Sequence, residues 1–217
     1  MGIKHILTSH AGDGFPASAM TDIDGLFKPG LTANILKIYH FIRLLWWAVP
    51  FKINNPEPRC RAKVTTFFDA LRTHEAANAP VGAAGFCWGG QWVVELCADR
   101  VKAANGKSLV DVGYTAHPSR VKVPDDIEKV VKPLSVAACE HDRQLPKPAA
   151  EQTRDILEGK TAKGKGVGVA HEFVWYEGAH HGFAVRASEE DKKQAAKGEM
   201  AAKQAIEWFK RWFAAYE

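Results

Sequence analysis

Short apolar runs alternate with helical patterns through most of the chain. The runs are four to six residues long and show no polar alternation, which is typical of strands buried on both faces of a parallel sheet. They are Val81–Phe86, Val110–Thr115, Leu134–Cys139 and Phe173–Tyr176. The helical patterns around them are Ala62–His74, Gly90–Lys102 and Ala149–Glu158. The sequence therefore predicts an α/β fold, with a mostly parallel sheet and helices on both of its faces.

The last helical pattern is the clearest one. Ser188, followed three residues later by Asp191, is typical of a capping box at a helix start. Beyond it, apolar residues recur at steps of four and three: Ala202, Ile206, Phe209, Phe213 and Tyr216, with a second row of Ala205, Trp208 and Trp212. This periodicity predicts a C-terminal helix that docks a broad apolar stripe on the sheet.

The most apolar segment, Ile35–Phe51, is rich in aromatic residues. His40 and Arg43 interrupt it and Pro50 closes it, so it falls short of a membrane-spanning helix. We expect a helix that belongs to the core or roofs an active site, followed by a proline loop. The 217 residues suit one domain. We expect a single domain over 1–217, with an atypical or truncated start (1–34) and the aromatic helix and proline loop at 35–60.

Charge and cysteine spacing exclude several classes of partner. Lysine plus arginine exceeds aspartate plus glutamate by 29 − 25 = 4, and no basic stripe with stacking aromatics indicates a nucleic-acid surface. The four cysteines form no CxxC pair, which argues against a zinc knuckle. The first residues contain an apolar stretch too short for a signal peptide. We therefore expect a cytoplasmic protein without nucleic-acid or membrane partners, and its oligomeric state stays open.

One turn, "GFCWGG", places Cys87 between an apolar strand and a helical pattern. Gly85 and Gly89 stand two residues before and after it, as in a nucleophile elbow, whose strained turn requires small neighbours. A helix N-terminus favours thiolate over thiol, and the amide of Trp88 is placed to face a developing oxyanion. The alternative is a small cysteine buried in a glycine-rich turn.

An acid and a histidine follow in the order that such a nucleophile needs. "EHDRQLP" places Glu140, His141 and Asp142 after one predicted strand, and "EGAHHGFAVR" places His180 and His181 after the next. A histidine oriented by a carboxylate deprotonates a nucleophile and reprotonates its leaving group. Nucleophile, acid and histidine, each after a strand, favour covalent acyl chemistry.

The segments "GFCWGG", "AHPS", "CEHD" and "YEGAHHGFAVR" resemble the dienelactone hydrolase family of the α/β-hydrolase fold, over residues 60 to 217. The resemblance implies Cys87 as the nucleophile, Asp142 as the acid and His181 as the base. It also implies that Arg186 meets a substrate carboxylate, although an ordinary surface arginine fits its position equally. No metal or organic cofactor is implied.

Neighbouring residues offer alternatives to these assignments. Glu140 could replace Asp142 as the acid, and His141 and His180 are interpreted as solvent-facing or supporting residues. A metal site at the adjacent histidines His180 and His181 is disfavoured, because no helical face brings a third ligand to them. The remaining cysteines are interpreted as core filler: Cys60, Cys97 and Cys139.

The chain departs from the family at its start. The fold normally lays down several strands before the nucleophile strand, and the loop after the third supplies a second oxyanion amide. Here Ile3–Leu7 is the one obvious earlier strand, and "TSHAGDGF" after it is the candidate loop. We therefore expect a sheet that is shortened at the N-terminus, or a sequence that lacks its beginning.

The leading hypothesis is a hydrolase that cleaves a small ester or lactone through Cys87. A second hypothesis is a non-catalytic binding protein that retains the fold, which gains if residues 1–20 form no strand beside Val81–Phe86. A third is a redox-sensing thiol protein, in which a Cys87 of low pKa is oxidised by peroxide. The aromatic residues Phe41, Trp46, Trp47 and Trp88 suit either an apolar pocket or the core.

Overall fold

A computed structural model describes residues 31–163, 170–185 and 192–214 of the chain. The chain divides into two compact units, with the boundary between Lys63 and Val64. The predicted single domain stays a prediction. The predicted strand Ile3–Leu7 and the loop that follows it lie outside the described residues, as do Ser188, Asp191 and Tyr216.

The first unit contains helix α1, Leu31–Asn54, and the start of α2, Glu57–Thr73. The expected proline loop is largely wrong, because α1 continues through Pro50 and only a short break precedes α2. Pro50, inside α1, removes one backbone hydrogen bond of the helix. Pro58 lies in the first turn of α2, where the backbone N–H has no partner within the helix, so no hydrogen bond is lost there. The aromatic side chains of Phe41 and Trp46 are exposed. No helix in the described residues is both long and apolar enough to cross a bilayer.

The second unit is built on a four-stranded parallel sheet in the order β1-β2-β3-β4. The strands are β1 Gly82–Phe86, β2 Val112–Ala116, β3 Leu134–His141 and β4 Glu172–His180. Phe86 pairs with Ala116, and Ala116 pairs with Ala137, so neighbouring strands approach their carboxyl ends in step. The predicted α/β fold with a parallel sheet is confirmed.

Helices connect and flank the strands: α3 Gly89–Cys97, α4 Asp125–Glu128, α5 Lys147–Lys163 and α6 Lys192–Phe213. Helix α3 ends five residues before the predicted Lys102. The reason is Asp99, whose φ of 54° lies in the left-handed region that terminates a helix. Strand β4 contains the predicted Phe173–Tyr176 and is longer at both ends, since it begins at Glu172 and continues to His180.

The two faces of the sheet carry separate apolar cores. On one face, Val93 of α3 and Leu157 of α5 pack with strand residues such as Val136. On the other face, Trp208 of α6 packs against β2 and donates a hydrogen bond from Nε1 to the carbonyl of Gly113 at 2.9 Å. Helices therefore cover both faces, as predicted.

The apolar face of α6 draws on both predicted rows, because Phe209 and Phe213 of the first row pack against the same core as Trp212 of the second. Ile206 and Ala202 are exposed, whereas Ala201 and Trp208 are buried and Ala205 packs beside them. The hydroxyl of Tyr114 donates to the carbonyl of Ala201 at 2.9 Å, and together with the bond from Trp208 to Gly113 it ties the helix to β2. The predicted docking of a broad apolar stripe on the sheet is therefore seen in the structure.

Candidate active site

Each strand of the sheet is followed directly by a residue of one cluster. Cys87 follows β1, His117 follows β2, Asp142 follows β3 and His181 follows β4. The carboxyl ends of parallel strands lie at one edge of a sheet, where α/β folds place their ligand sites. The parallel topology therefore gathers a thiol, two imidazoles and a carboxylate at one edge.

The turn that carries Cys87 is strained and tightly packed. Cys87 has a φ of 50°, which side chains rarely adopt, and its carbonyl accepts hydrogen bonds from Gly90 N–H at 3.0 Å and Ser119 N–H at 2.8 Å. A Cβ at Gly85 would lie 2.5 Å from the carbonyl oxygen of Gly89. The strained conformation is held by these contacts and projects the sulfur away from the strand.

The two glycines after the cysteine differ in importance. A Cβ at Gly90 would lie 2.5 Å from Cβ of Pro118, whereas a Cβ at Gly89 would meet nothing within 4 Å. The sequence interpretation assigned the steric role to Gly89. The structure gives it to Gly90, because the loop after β2 packs over that position.

Three of the predicted residues lie in contact. Nε2 of His181 lies 3.1 Å from Sγ of Cys87. Nδ1 of the same ring lies 2.9 Å from Oδ1 and 3.0 Å from Oδ2 of Asp142. The imidazole therefore bridges thiol and carboxylate, one ring nitrogen to each, which is the arrangement required for proton transfer at the sulfur.

A turn anchored in the core holds His181 in place. Gly182, with a φ of 96°, allows the chain to reverse after β4. Phe183 is buried and its ring packs 4.8 Å from that of Tyr176 and 5.7 Å from that of His117. The His117 ring in turn meets the His181 ring edge-on at 5.0 Å. The His181 ring is thus supported by aromatic packing on the side of β2.

The carboxylate of Asp142 is buried and well supplied with donors. Oδ1 accepts from the backbone N–H of Gln144 at 2.7 Å and of Leu145 at 3.3 Å, and Oδ2 accepts from the thiol of Cys139 at 3.2 Å. Burial acts to raise the pKa of Asp142, but the hydrogen bond and charge of His181, with these donors, hold it below its usual value. The group is therefore an anion that orients the imidazole.

The thiol and the imidazole shift each other's titration. Burial acts to raise the pKa of Cys87, but hydrogen bonds from His181 and Ser119, the charge of His181 and the backbone N–H of Trp88 lower it from 9.0 to about 7. Burial acts to lower the pKa of His181, but Asp142 and Cys87 raise it to about 9. Each group therefore favours the charged form of the other, a thiolate beside an imidazolium.

Other predicted residues lie elsewhere. The carboxylate of Glu140 accepts from the backbone N–H of Gly178 at 2.7 Å, so the hydrogen bonds to His181 come from Asp142 instead. The exposed rings of His141 and His180 stack on each other at 4.9 Å. Arg186 lies outside the described residues. Over the ranges that the structure describes, no three His, Cys, Asp or Glu side chains are grouped as metal ligands.

Sequence reasoning assigned no role to Ser119 and His117, and it interpreted Cys139 as filler. Ser119 and His117 belong to the "AHPS" segment after β2, the strand directly beside β1. Strand order is the signal that identifies them, because whatever follows β2 must lie next to the residue that follows β1. Cys139 is buried as expected, but it also donates to the carboxylate.

The chain is similar to known proteins over much of its length. The hydrolase tropI of Talaromyces stipitatus is 33% identical over 129 residues, which are 59% of this chain and 44% of that protein. The chain thus spans less than half the length of this curated relative. A solved structure named m3DLH has a TM-score of 0.51 at 20% identity, over 76% of this chain and 66% of that one. Its likeness shows the fold.

A dienelactone hydrolase-like promiscuous phosphotriesterase, P91, from metagenomic libraries is similar over 71% of this chain and 63% of its own, with a TM-score of 0.47 and 19% identity. The sequence model of the dienelactone hydrolase family matches residues 51–213, which include the four strands that the structure describes and the residues at their carboxyl ends. The chain has the α/β-hydrolase fold and belongs to the dienelactone hydrolase family.

Proposed function

We propose that this protein hydrolyses a small ester or lactone through a covalent thioester on Cys87, without a metal or organic cofactor. One observation carries the proposal: His181 contacts Sγ of Cys87 through Nε2 and the carboxylate of Asp142 through Nδ1. Arg186 remains the proposed contact for a substrate carboxylate. Membership of a hydrolase family supports the reaction class.

The first step forms the acyl-enzyme. The thiolate attacks the carbonyl carbon of the ester, and the carbonyl oxygen becomes an oxyanion that accepts from the backbone N–H of Trp88. The carbon–oxygen bond to the leaving group then breaks, and the imidazolium of His181 gives its proton to the departing alkoxide. The thioester and an alcohol result, or a hydroxy-acyl chain when the substrate is a lactone.

The second step hydrolyses the thioester and regenerates the free enzyme. Neutral His181 takes a proton from a water molecule, which attacks the thioester carbon. The carbon–sulfur bond breaks, the acyl group is released as a carboxylic acid, and Cys87 is left as a thiolate beside the imidazolium. Asp142 stabilises the charged ring in both half-reactions, because it accepts from Nδ1 throughout.

Mass spectrometry after incubation with an activated aryl ester tests the proposal. We expect one acyl adduct on Cys87, and hydrolysis that disappears in Cys87→Ala. A matched control is Cys60→Ala, which removes a buried thiol from the other compact unit and leaves turnover intact. Turnover that survives in Cys87→Ala would rule out the covalent role.

A redox-sensing function is the second candidate, and it is favoured by the lowered pKa of Cys87 together with its partial exposure. Peroxide would convert the thiolate to a sulfenate with release of water. This function predicts peroxide-dependent labelling of Cys87 in a protein that does not turn over esters. The feature that distinguishes a non-catalytic binding protein, residues 1–20, lies outside the described residues, and cytoplasmic localisation stays a prediction.

A further inference from the structure

The loop after β2 brings a hydroxyl group to the sulfur of Cys87. Oγ of Ser119 lies 3.4 Å from Sγ of Cys87, and Ser119 is only 5% exposed. The position is fixed by the backbone, since Ser119 N–H donates to the carbonyl of Cys87 at 2.8 Å. Pro118 stiffens the loop and packs over Gly90, while His117 and Arg120 on either side have φ of 39° and 61°.

The direction of this hydrogen bond depends on the charge of the sulfur. While Cys87 is a neutral thiol, either group can donate to the other. Once the sulfur is a thiolate it has no proton, and Ser119 is then the donor. The contact therefore stabilises the charged form more than the neutral form, which is the condition for lowering a pKa.

We propose that the Ser119 hydroxyl is a catalytic hydrogen-bond donor to the Cys87 thiolate, so that the nucleophile lies between an imidazolium and a hydroxyl. The pKa of Cys87, lowered in part by Ser119, agrees with this role. In the hydrolytic cycle, which rests on the proposed function, the same donor stabilises the sulfur as it leaves the thioester. A hydroxyl that stabilises the leaving thiolate also reduces its nucleophilicity slightly.

The pH dependence of alkylation by iodoacetamide tests the proposal without requiring hydrolysis. Cys60, Cys97 and Cys139 are buried, so Cys87 is the cysteine that the native protein offers to the reagent, and peptide mapping confirms the site. In Ser119→Ala we expect the midpoint of the rate profile to move upward by about one pH unit, because a hydrogen bond to a charged group is lost. Alkylation at pH 6 then slows by about tenfold.

At pH well above the midpoint, the two proteins should react equally within about twofold, with Ser119→Ala the faster if either leads. Ser119→Thr keeps a hydroxyl and should keep the wild-type midpoint. Thr153→Val is the matched control, because it removes a buried hydroxyl that donates to the carbonyl of Ala149 within α5. Ser119→Gly serves as a second variant without the hydroxyl, and circular dichroism checks the folding of each.

An unchanged midpoint in folded Ser119→Ala or Ser119→Gly overturns the proposal, as does a rate that falls equally at every pH. An upward shift in both variants, with rescue by Ser119→Thr, supports it. Failure of the hydrolytic function is seen separately: no acyl adduct forms on Cys87, while the alkylation profiles still report the effect of Ser119.

Discussion

The thiol of Cys139 donates a hydrogen bond to Oδ2 of Asp142 across 3.2 Å, inside the core. Burial first, and then the adjacent carboxylate, raise the pKa of Cys139, so the thiol keeps its proton and remains a donor. A residue that resembles core filler thus helps to orient the carboxylate that holds His181.

Substitutions at Cys139 can show whether its side-chain volume or its hydrogen bond to Asp142 matters for activity. We expect Cys139→Val to lower kcat about fivefold with little change in KM, since one hydrogen bond of about 1 kcal/mol is lost. Cys139→Ser retains a donor and should stay within about twofold of wild type. Steady-state kinetics with an aryl ester measure both. If the valine variant keeps full kcat, the two backbone donors to Asp142 suffice without the thiol.

The rate of ester hydrolysis should follow a bell-shaped pH profile. Below about 7 the sulfur of Cys87 is protonated, so kcat/KM rises with pH through that value. Above about 9 His181 loses the proton that it gives to the leaving group, so kcat/KM falls again. A spectrophotometric assay corrected for spontaneous hydrolysis measures the profile. A rate that keeps rising with hydroxide through pH 10 would contradict an imidazolium acid.

Gly89 and Gly90 form a matched pair for testing the packing of the turn that carries Cys87. Gly90→Ala should lower the free energy of unfolding by about 1–3 kcal/mol, because the added Cβ would overlap Pro118 and Oγ1 of Thr115. Gly89→Ala places its Cβ in open space at the start of α3, so it should be neutral or slightly stabilising. Denaturant unfolding monitored by fluorescence compares the two. Equal losses of unfolding free energy in the two variants would mean that the contact between the added Cβ and Pro118 causes no destabilisation of its own.

We expect that replacing His171 makes the free energy of unfolding less dependent on pH in the acid range. Its Nδ1 accepts from the backbone N–H of Leu134 at 3.3 Å, and burial, with the charge of Lys160, lowers the pKa of His171 to about 4. The unfolded chain takes up a proton near pH 6.5, so folding free energy is lost as pH falls from there towards 4. The loss should be on the order of 2 kcal/mol after allowance for solvent screening.

His171→Asn keeps an acceptor but does not titrate, so its stability should decline less than that of wild type between pH 6.5 and 4. Thermal unfolding across this pH range measures the difference. His74→Asn, which alters an exposed histidine, is the control and should follow wild type. If the stability of wild type and of His171→Asn declines in parallel as the pH falls, the protonation of His171 is not coupled to unfolding and the prediction is wrong.

The sequence predicted the parts of this structure that local pattern determines. Buried strands such as Leu134–Cys139 are apolar at every position except Ser135, and the residue after each strand is placed by the parallel topology. The positions of Cys87, Asp142 and His181 after apolar runs, together with the family resemblance, therefore predict these three residues as one group.

Features that depend on contacts between elements were not predicted. The exposure of Ala202 and Ile206 within the predicted stripe of α6 depends on how the helix is seated on β2, where Tyr114 donates to the carbonyl of Ala201. The approach of Ser119 to Cys87 depends on β1 and β2 being neighbours, which is a property of strand order. The early end of α3 depends on the positive φ of Asp99, which its residue type permits without requiring it.

Cys87 and His181 follow β1 and β4, which β2 and β3 separate. Adjacent strands lie about 4.8 Å apart, so the strands that carry the pair are about 14 Å apart in a flat sheet. Sulfur and nitrogen nevertheless meet at 3.1 Å, so the two side chains and the turns that carry them reach across the ends of β2 and β3. A core substitution that shifts β1 relative to β4 would part the two atoms without altering either side chain, and reactivity at the sulfur would then report on the spacing of the strands.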